Sequence, residues 1–130
     1  MSVTSGVFSM DLDPGKKVMI AFAEGLFDVD KGVEFCNAFM ETAKRASQFK
    51  DYSLIVDVKG VKPTSPEVQE ALGQALALYA SKDFVFKKRF MTKLTSAITQ
   101  SQVVRLSGNI PGFSETIEFV NTKEEALAQL

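Results

Sequence analysis

The chain has no histidine, no tryptophan and a single cysteine among its 130 residues. Without histidine, Ser-His-Asp and Cys-His triads, imidazole acid–base catalysis and histidine-ligated zinc sites are excluded. One thiol, Cys36, cannot form an internal disulfide or a multi-cysteine metal site, and it fits a reducing compartment. A dominant charge is lacking as well. Fifteen Lys and Arg against 16 Asp and Glu leave a net charge of −1, so no global field draws nucleic acid or an anionic membrane. No apolar run nears the roughly 18 residues of a membrane span. The opening "MSVTSGVFSMDLDPG" has neither the basic nor the apolar region of a secretory signal. These absences lead us to expect a cytoplasmic protein with no transmembrane segment, cofactor or metal. Carboxylate, lysine or lone-thiol chemistry would each need a constellation that the sequence does not display, so no catalytic residue is assigned and the expectation is a non-enzyme.

What is present fits one domain spanning 1–130. Apolar residues at 45% and charged residues at 24% are ordinary for a globular chain, and the length suffices for a real core. Eleven Phe point to a phenylalanine-rich interior.

The pattern reads as an opening hairpin followed by alternating helices and strands. "VFSMDLDPGKKVMIAFAEGLF" holds two strands around the turn "DPGK", and Gly25 marks a bulge or a close backbone approach. Asp28 or Asp30 caps the next helix. Its inner face is predicted as Val29, Val33, Cys36, Met40 and Ala43, widened by Phe39. "YSLIVDV" reads as a central strand. "SPEVQEALGQALALYASKDF" is the clearest helix, with Ser65 as cap, Pro66 at the first helical position and Glu67 in the first turn. Val68, Leu72, Ala75 and Tyr79 form its predicted inner face, joined by Ala71, Leu76 and Leu78. "FVFKKRFMTKL" carries a further strand and "TSAITQSQVVRLSG" a weaker helix that stops at Gly108. After the loop "NIPGF" come the strand "TIEFV" and a short helix, "TKEEALAQL", with Thr122 and Glu125 spaced as a capping box. The fold class expected is α/β, with a mixed sheet of about five strands, an N-terminal antiparallel hairpin and about four helices.

This order resembles the STAS domain, the fold of the anti-sigma-factor antagonists. The resemblance rests on "LIVDVKGV", similar to that family's strand ending in Asp-Leu-Ser-Gly-Val, with Asp57, Gly60 and Val61 in matching places. It rests also on "SPEVQEALGQALALYA" as the following helix and on the closing "IEFVNTKEEALAQL", which is similar to the ending of short stand-alone bacterial STAS-like proteins. The resemblance implies a regulatory protein-binding module without cofactor, whose partner is another protein. It draws attention to Asp57, Gly60, Thr64 and Ser65 as a switch or interaction loop. In the antagonists a serine at the start of this helix is phosphorylated. By spacing from Gly60 that position falls on Pro66, and the aspartate before it falls on Ser65, so this chain departs from the switch. Some stand-alone relatives also imply kinship with the lipid-binding CRAL-TRIO fold.

Each candidate has a plainer reading. Ser65 before Pro66 is a good helix cap in its own right; a phosphate there would meet a helix N-terminus, and no base stands ready to activate the hydroxyl. Cys36 on an apolar stripe reads as a small buried hydrophobe. "FKKRFMTK" interleaves Lys87, Lys88, Arg89 and Lys93 with Phe86 and Phe90, a pattern that can bind nucleic acid, but with a net charge near zero it reads as a strand edge protected by lysines. Glu67 and Glu70 are expected on the wet side of a helix, and "SGNIPG" lacks the spacing of a phosphate loop. The Phe content leaves open a pocket for an apolar ligand or lipid, and the Ala-, Leu- and Met-rich helices a homodimer face.

Overall fold

The first turn is made by Asp13, whose carboxylate accepts hydrogen bonds from the N–H groups of Gly15 (3.0 Å) and Lys16 (3.1 Å). This folds β1 (Val7–Asp13) antiparallel onto β2 (Val18–Phe27), in register from Val7↔Glu24 to Asp13↔Val18. The computed structural model describes residues 6–63 and 66–130. It continues through α1 (Val29–Ser47), β3 (Ser53–Pro63), α2 (Val68–Ala80), β4 (Arg89–Thr92), α3 (Ala97–Ser107), α4 (Phe113–Thr116), β5 (Glu118–Val120) and α5 (Lys123–Leu127). The five strands lie in sequence order in one sheet, antiparallel at β1–β2 and parallel elsewhere. The mixed five-stranded α/β fold expected from the pattern is therefore present.

Because successive parallel strands advance across the sheet in one direction, crossovers of one hand must share a face. Helices α1 and α2 pack on each other, as do α2 and α3. They cover the face that carries Met19, Ala21, Leu54, Val56 and Met91. The other face carries Val18, Ile55, Phe90 and Val120, which are covered by Ala126 of α5. Both faces of β3 are thus buried, which explains the nearly unbroken apolar run from Leu54 to Val56.

The phenylalanine-rich interior is real. Phe39 is fully buried and meets the rings of Tyr79 (5.2 Å between centroids), Phe84 (6.1 Å) and Phe35 (6.5 Å). Phe35 in turn meets Phe8 edge-on at 5.7 Å, a geometry favoured by ring quadrupoles.

Several local readings need correction. The buried face of α1 is Gly32, Phe35, Cys36, Phe39, Thr42, Ala43 and Ala46, whereas Val29 and Val33 are exposed. The predicted stripe was turned because it passed over Phe35, the largest apolar side chain in the first two turns. Asp28, not Asp30, is the cap, accepting from the N–H of Lys31 at 2.8 Å. The loop "NIPGF" ends in the short helix α4, which absorbs Phe113 and Thr116. Gly108 closes α3 with ordinary right-handed dihedrals. The capping box is present in variant form: Thr122 accepts from Glu125 N–H at 3.1 Å, and the Glu125 carboxylate reaches past the cap to Asn121 N–H.

The basic stretch changes most. β4 is an inner strand, flanked by β3 and β5, so it is not an edge. Phe90 is in the core, and Arg89 is 9% exposed. The Arg89 guanidinium donates to the carbonyls of Tyr79 (2.8 Å), Ser81 (2.7 Å) and Phe84 (2.6 Å). Those include the unpaired carbonyls at the end of α2, and burial lowers the Arg89 pKa from its ordinary value. Lys87, Lys88 and Lys93 remain exposed, and Lys88 donates to the Gln129 carbonyl. The residues that gave the stretch its nucleic-acid look are split between core and surface.

Candidate functional site

In open α/β sheets, ligands and partners meet the fold beyond the C-terminal ends of the strands. Here β2 and β3 run furthest, paired out to Phe27↔Pro63, and a bulge alters which β3 side chains face each layer. Between the pairs Phe22↔Asp57 and Glu24↔Gly60, β2 advances two residues while β3 advances three. The disrupted ladder is repaired from β4 and beyond: Val58 N–H donates to Thr92 Oγ1 at 3.0 Å, and the Lys59 carbonyl accepts from Thr95 N–H at 2.8 Å. Gly25, just beyond, takes φ +90°, a conformation that glycine adopts without strain. Space at Gly60 is tight, since a Cβ there would lie 3.2 Å from Glu24 Cβ.

The bulge sends Asp57, Lys59 and Gly60 to one side and Val58 and Val61 to the other. On the α5 side, Asp57 and Gly60 line a polar cleft of about 280 Å3, with Glu24, Thr95, Lys123 and Glu124. On the helix side, Val58, Val61 and Pro63 line an apolar slot of about 50 Å3, closed by Gly32 and Phe35 of α1 and by Val68 to Tyr79 of α2. Of the predicted interaction loop, then, Asp57 and Gly60 come together at the polar cleft. Thr64 and Ser65 lie outside the described residues, and so does the predicted Ser65 cap. The helix proper starts at Val68, preceded by a turn in which Gln69 N–H donates to the Pro66 carbonyl at 3.0 Å.

Glu67 and Glu70 are exposed. Cys36 is buried, its Sγ 4.0 Å from the Ala71 carbonyl, and burial raises its pKa above the usual thiol value. That suppresses the thiolate and agrees with a packing role. Among the described residues, no three or more Cys, Asp and Glu side chains gather as a metal ion would require, and no helix is long and apolar enough to cross a membrane.

The bulge expected at Gly25 falls just before it, between Phe22 and Glu24 of β2, and Gly60 of β3 was a second glycine signal for it. The apolar space left open by the Phe content is the slot, whose lining comes from five separate elements and so could not be placed from local sequence. Tyr79 is its one lining residue with a polar oxygen, and burial pushes that phenol's pKa well up. Around this end of the fold the helix layer exposes apolar side chains: Val29 (40% exposed) and Val33 (45%) in the first turns of α1, and Ile98 (76%) in the first turn of α3. Comparison of the chain with protein-family models, with curated proteins and with solved structures finds no match.

Proposed function

We propose that the chain is a non-enzymatic, STAS-like regulatory module that works by binding another protein at the strand C-terminal end of its helix layer. The observation that supports this reading is the set of exposed apolar side chains there, Val29, Val33 and Ile98, on helices flanking α2. Parallel topology brings the starts of α1 and α3 to the same end of the sheet as the start of α2, where the STAS resemblance puts partner contact. Apolar side chains on an otherwise charged surface favour association. Under this reading Ser65 is not a phosphorylation switch, the protein acts in the cytoplasm, and a two-fold homodimer is the resting state.

The test is a pull-down from source cytoplasm with the wild-type chain and with Val33→Glu/Ile98→Glu, joined to mass spectrometry of extracted small molecules. A protein recovered stoichiometrically with the wild type and lost with the double variant is the expected result. A stoichiometric lipid with no protein partner overturns it. Ser65→Asp should bind the same partner as the wild type; loss of binding with Asp but not with Ala would restore the switch. Light scattering that returns one chain mass of 14.3 kDa at micromolar concentration removes the dimer.

A further inference from the structure

The apolar slot holds a polar group with nothing to bond. Tyr79 is 3% exposed, and its hydroxyl has no hydrogen-bond partner among the described residues. No side-chain oxygen or nitrogen among them is both sealed from solvent and unpaired. The small accessible surface that Tyr79 keeps therefore includes its hydroxyl, and Tyr79 lines the slot. Tyr79 stands in the last turn of α2 with its ring edge-on to Phe35, 6.4 Å between centroids, and Phe35 lines the same slot. The other lining residues are apolar or glycine. The slot thus offers one hydrogen bond and no charge.

Those properties define what fits. A charged head would lose its hydration against apolar walls with no counter-charge, so the ligand is neutral. The Tyr79 hydroxyl is a donor seeking an acceptor, which calls for a carbonyl or hydroxyl oxygen. Size sets the rest: an apolar cavity of roughly 150 Å3 holds benzene, and this slot, open to solvent on one side, offers about 50 Å3. Two or three carbons beside one oxygen fill it, and the remainder of a longer chain stays in water. We propose that the slot between α1, α2 and β3 is a binding site for a small neutral molecule, a short-chain ketone or alcohol, held by the Tyr79 hydroxyl. The site stands independently of the protein-binding reading. The two are nevertheless adjacent, because Val61, Pro63 and Val68 flank both the slot and the start of α2.

The experiment is an amide-detected NMR titration of the full chain with 2-butanone and with the straight-chain alcohols from methanol to hexanol. Saturable shifts at Gly32, Val61, Ala71 and Ala75 are expected. Affinity should rise about fourfold for each added methylene, the fold-change to which ~0.8 kcal/mol converts, and then level off once the slot is full. Tyr79→Phe should weaken butanone binding about tenfold, the loss of about one hydrogen bond, while melting no lower than the wild type. Ala75→Leu, which fills the slot, should abolish the saturable shifts; Val61→Phe does the same from the opposite wall should the first variant fold poorly. Shifts that grow linearly without saturating, or that scatter over the surface, overturn the proposal. Unchanged butanone affinity in Tyr79→Phe overturns the role of the hydroxyl, and affinity that climbs undiminished through hexanol overturns the size limit.

Discussion

Replacing Arg89 by Met tests how the inner strand β4 and helix α2 are held together. The substitution keeps an unbranched side chain of comparable reach and removes the guanidinium that donates to the carbonyls of Tyr79, Ser81 and Phe84 at 2.6–2.8 Å. A buried carbonyl left without a donor costs about 1–3 kcal/mol. Tyr79 and Phe84 are buried while Ser81 is half-buried, so two of the three count nearly in full, for about 2–5 kcal/mol. Against this, a buried guanidinium with no carboxylate beside it carries its own desolvation cost, which the variant escapes. The net expectation is a loss of about 2–4 kcal/mol. The stacking of Arg89 on Phe86, 5.3 Å from the ring centroid, adds a fraction of that. Arg89→Lys should recover only part of the stability, since a single ammonium cannot span three separated carbonyls. Urea denaturation followed by circular dichroism measures the effect directly. With a slope of about 2 kcal/mol per M, the middle of the usual range for urea, the Met variant should unfold roughly 1–2 M earlier than the wild type. A midpoint within about 0.3 M of the wild type would refute the reasoning and mean that water takes over the three carbonyls without penalty.

Other expectations follow from single contacts. Gly60→Ala should lower stability by about 1 kcal/mol, because the Cβ must displace Glu24 at the bulge; a melting temperature equal to the wild type's would show that the strand pair yields freely. Asp28→Ala should cost about 1 kcal/mol through loss of the cap on Lys31 N–H, read from the same melts. Cys36 should react with a disulfide reagent far more slowly in the native protein than in denaturant. Since burial raises its pKa above the ordinary thiol value, its stability contribution is fully present below that ordinary value and declines as pH rises through the folded one. Native-state labelling as fast as that of the denatured chain would sink this account. Thr92→Val should destabilise by about 1–3 kcal/mol, because Val58 N–H loses its acceptor in the core, and hydrogen exchange at Val58 should quicken; unchanged exchange there would show the bulge is held otherwise.

What the residue pattern determined by itself was the succession of elements, apart from the short helix α4. Asp13 beside Pro14 and Gly15 dictates a turn, the alternation around it dictates a hairpin, and the four-three spacing of Val68, Leu72, Ala75 and Tyr79 dictates a helix with that inner face. These are short-range consequences of backbone sterics and periodicity, legible wherever neighbours in sequence are neighbours in space. The exclusion of histidine chemistry was equally a matter of composition. What only the tertiary structure decided was which of two equivalent surfaces each element buries and which distant atoms meet. The pattern of α1 admitted a face through Val33 or one through Phe35, and packing against Tyr79 and Phe8 chose the second. Arg89 among lysines reads as surface until the end of α2 is placed against it, because its three carbonyl partners are backbone atoms that carry no sequence signature. The bulge at Asp57 to Gly60 and the slot behind it belong to the same class: both arise where β2 and β3 outrun β4, and their chemistry rests on Thr92, Glu24 and Tyr79, residues remote in the chain and brought together only by the fold.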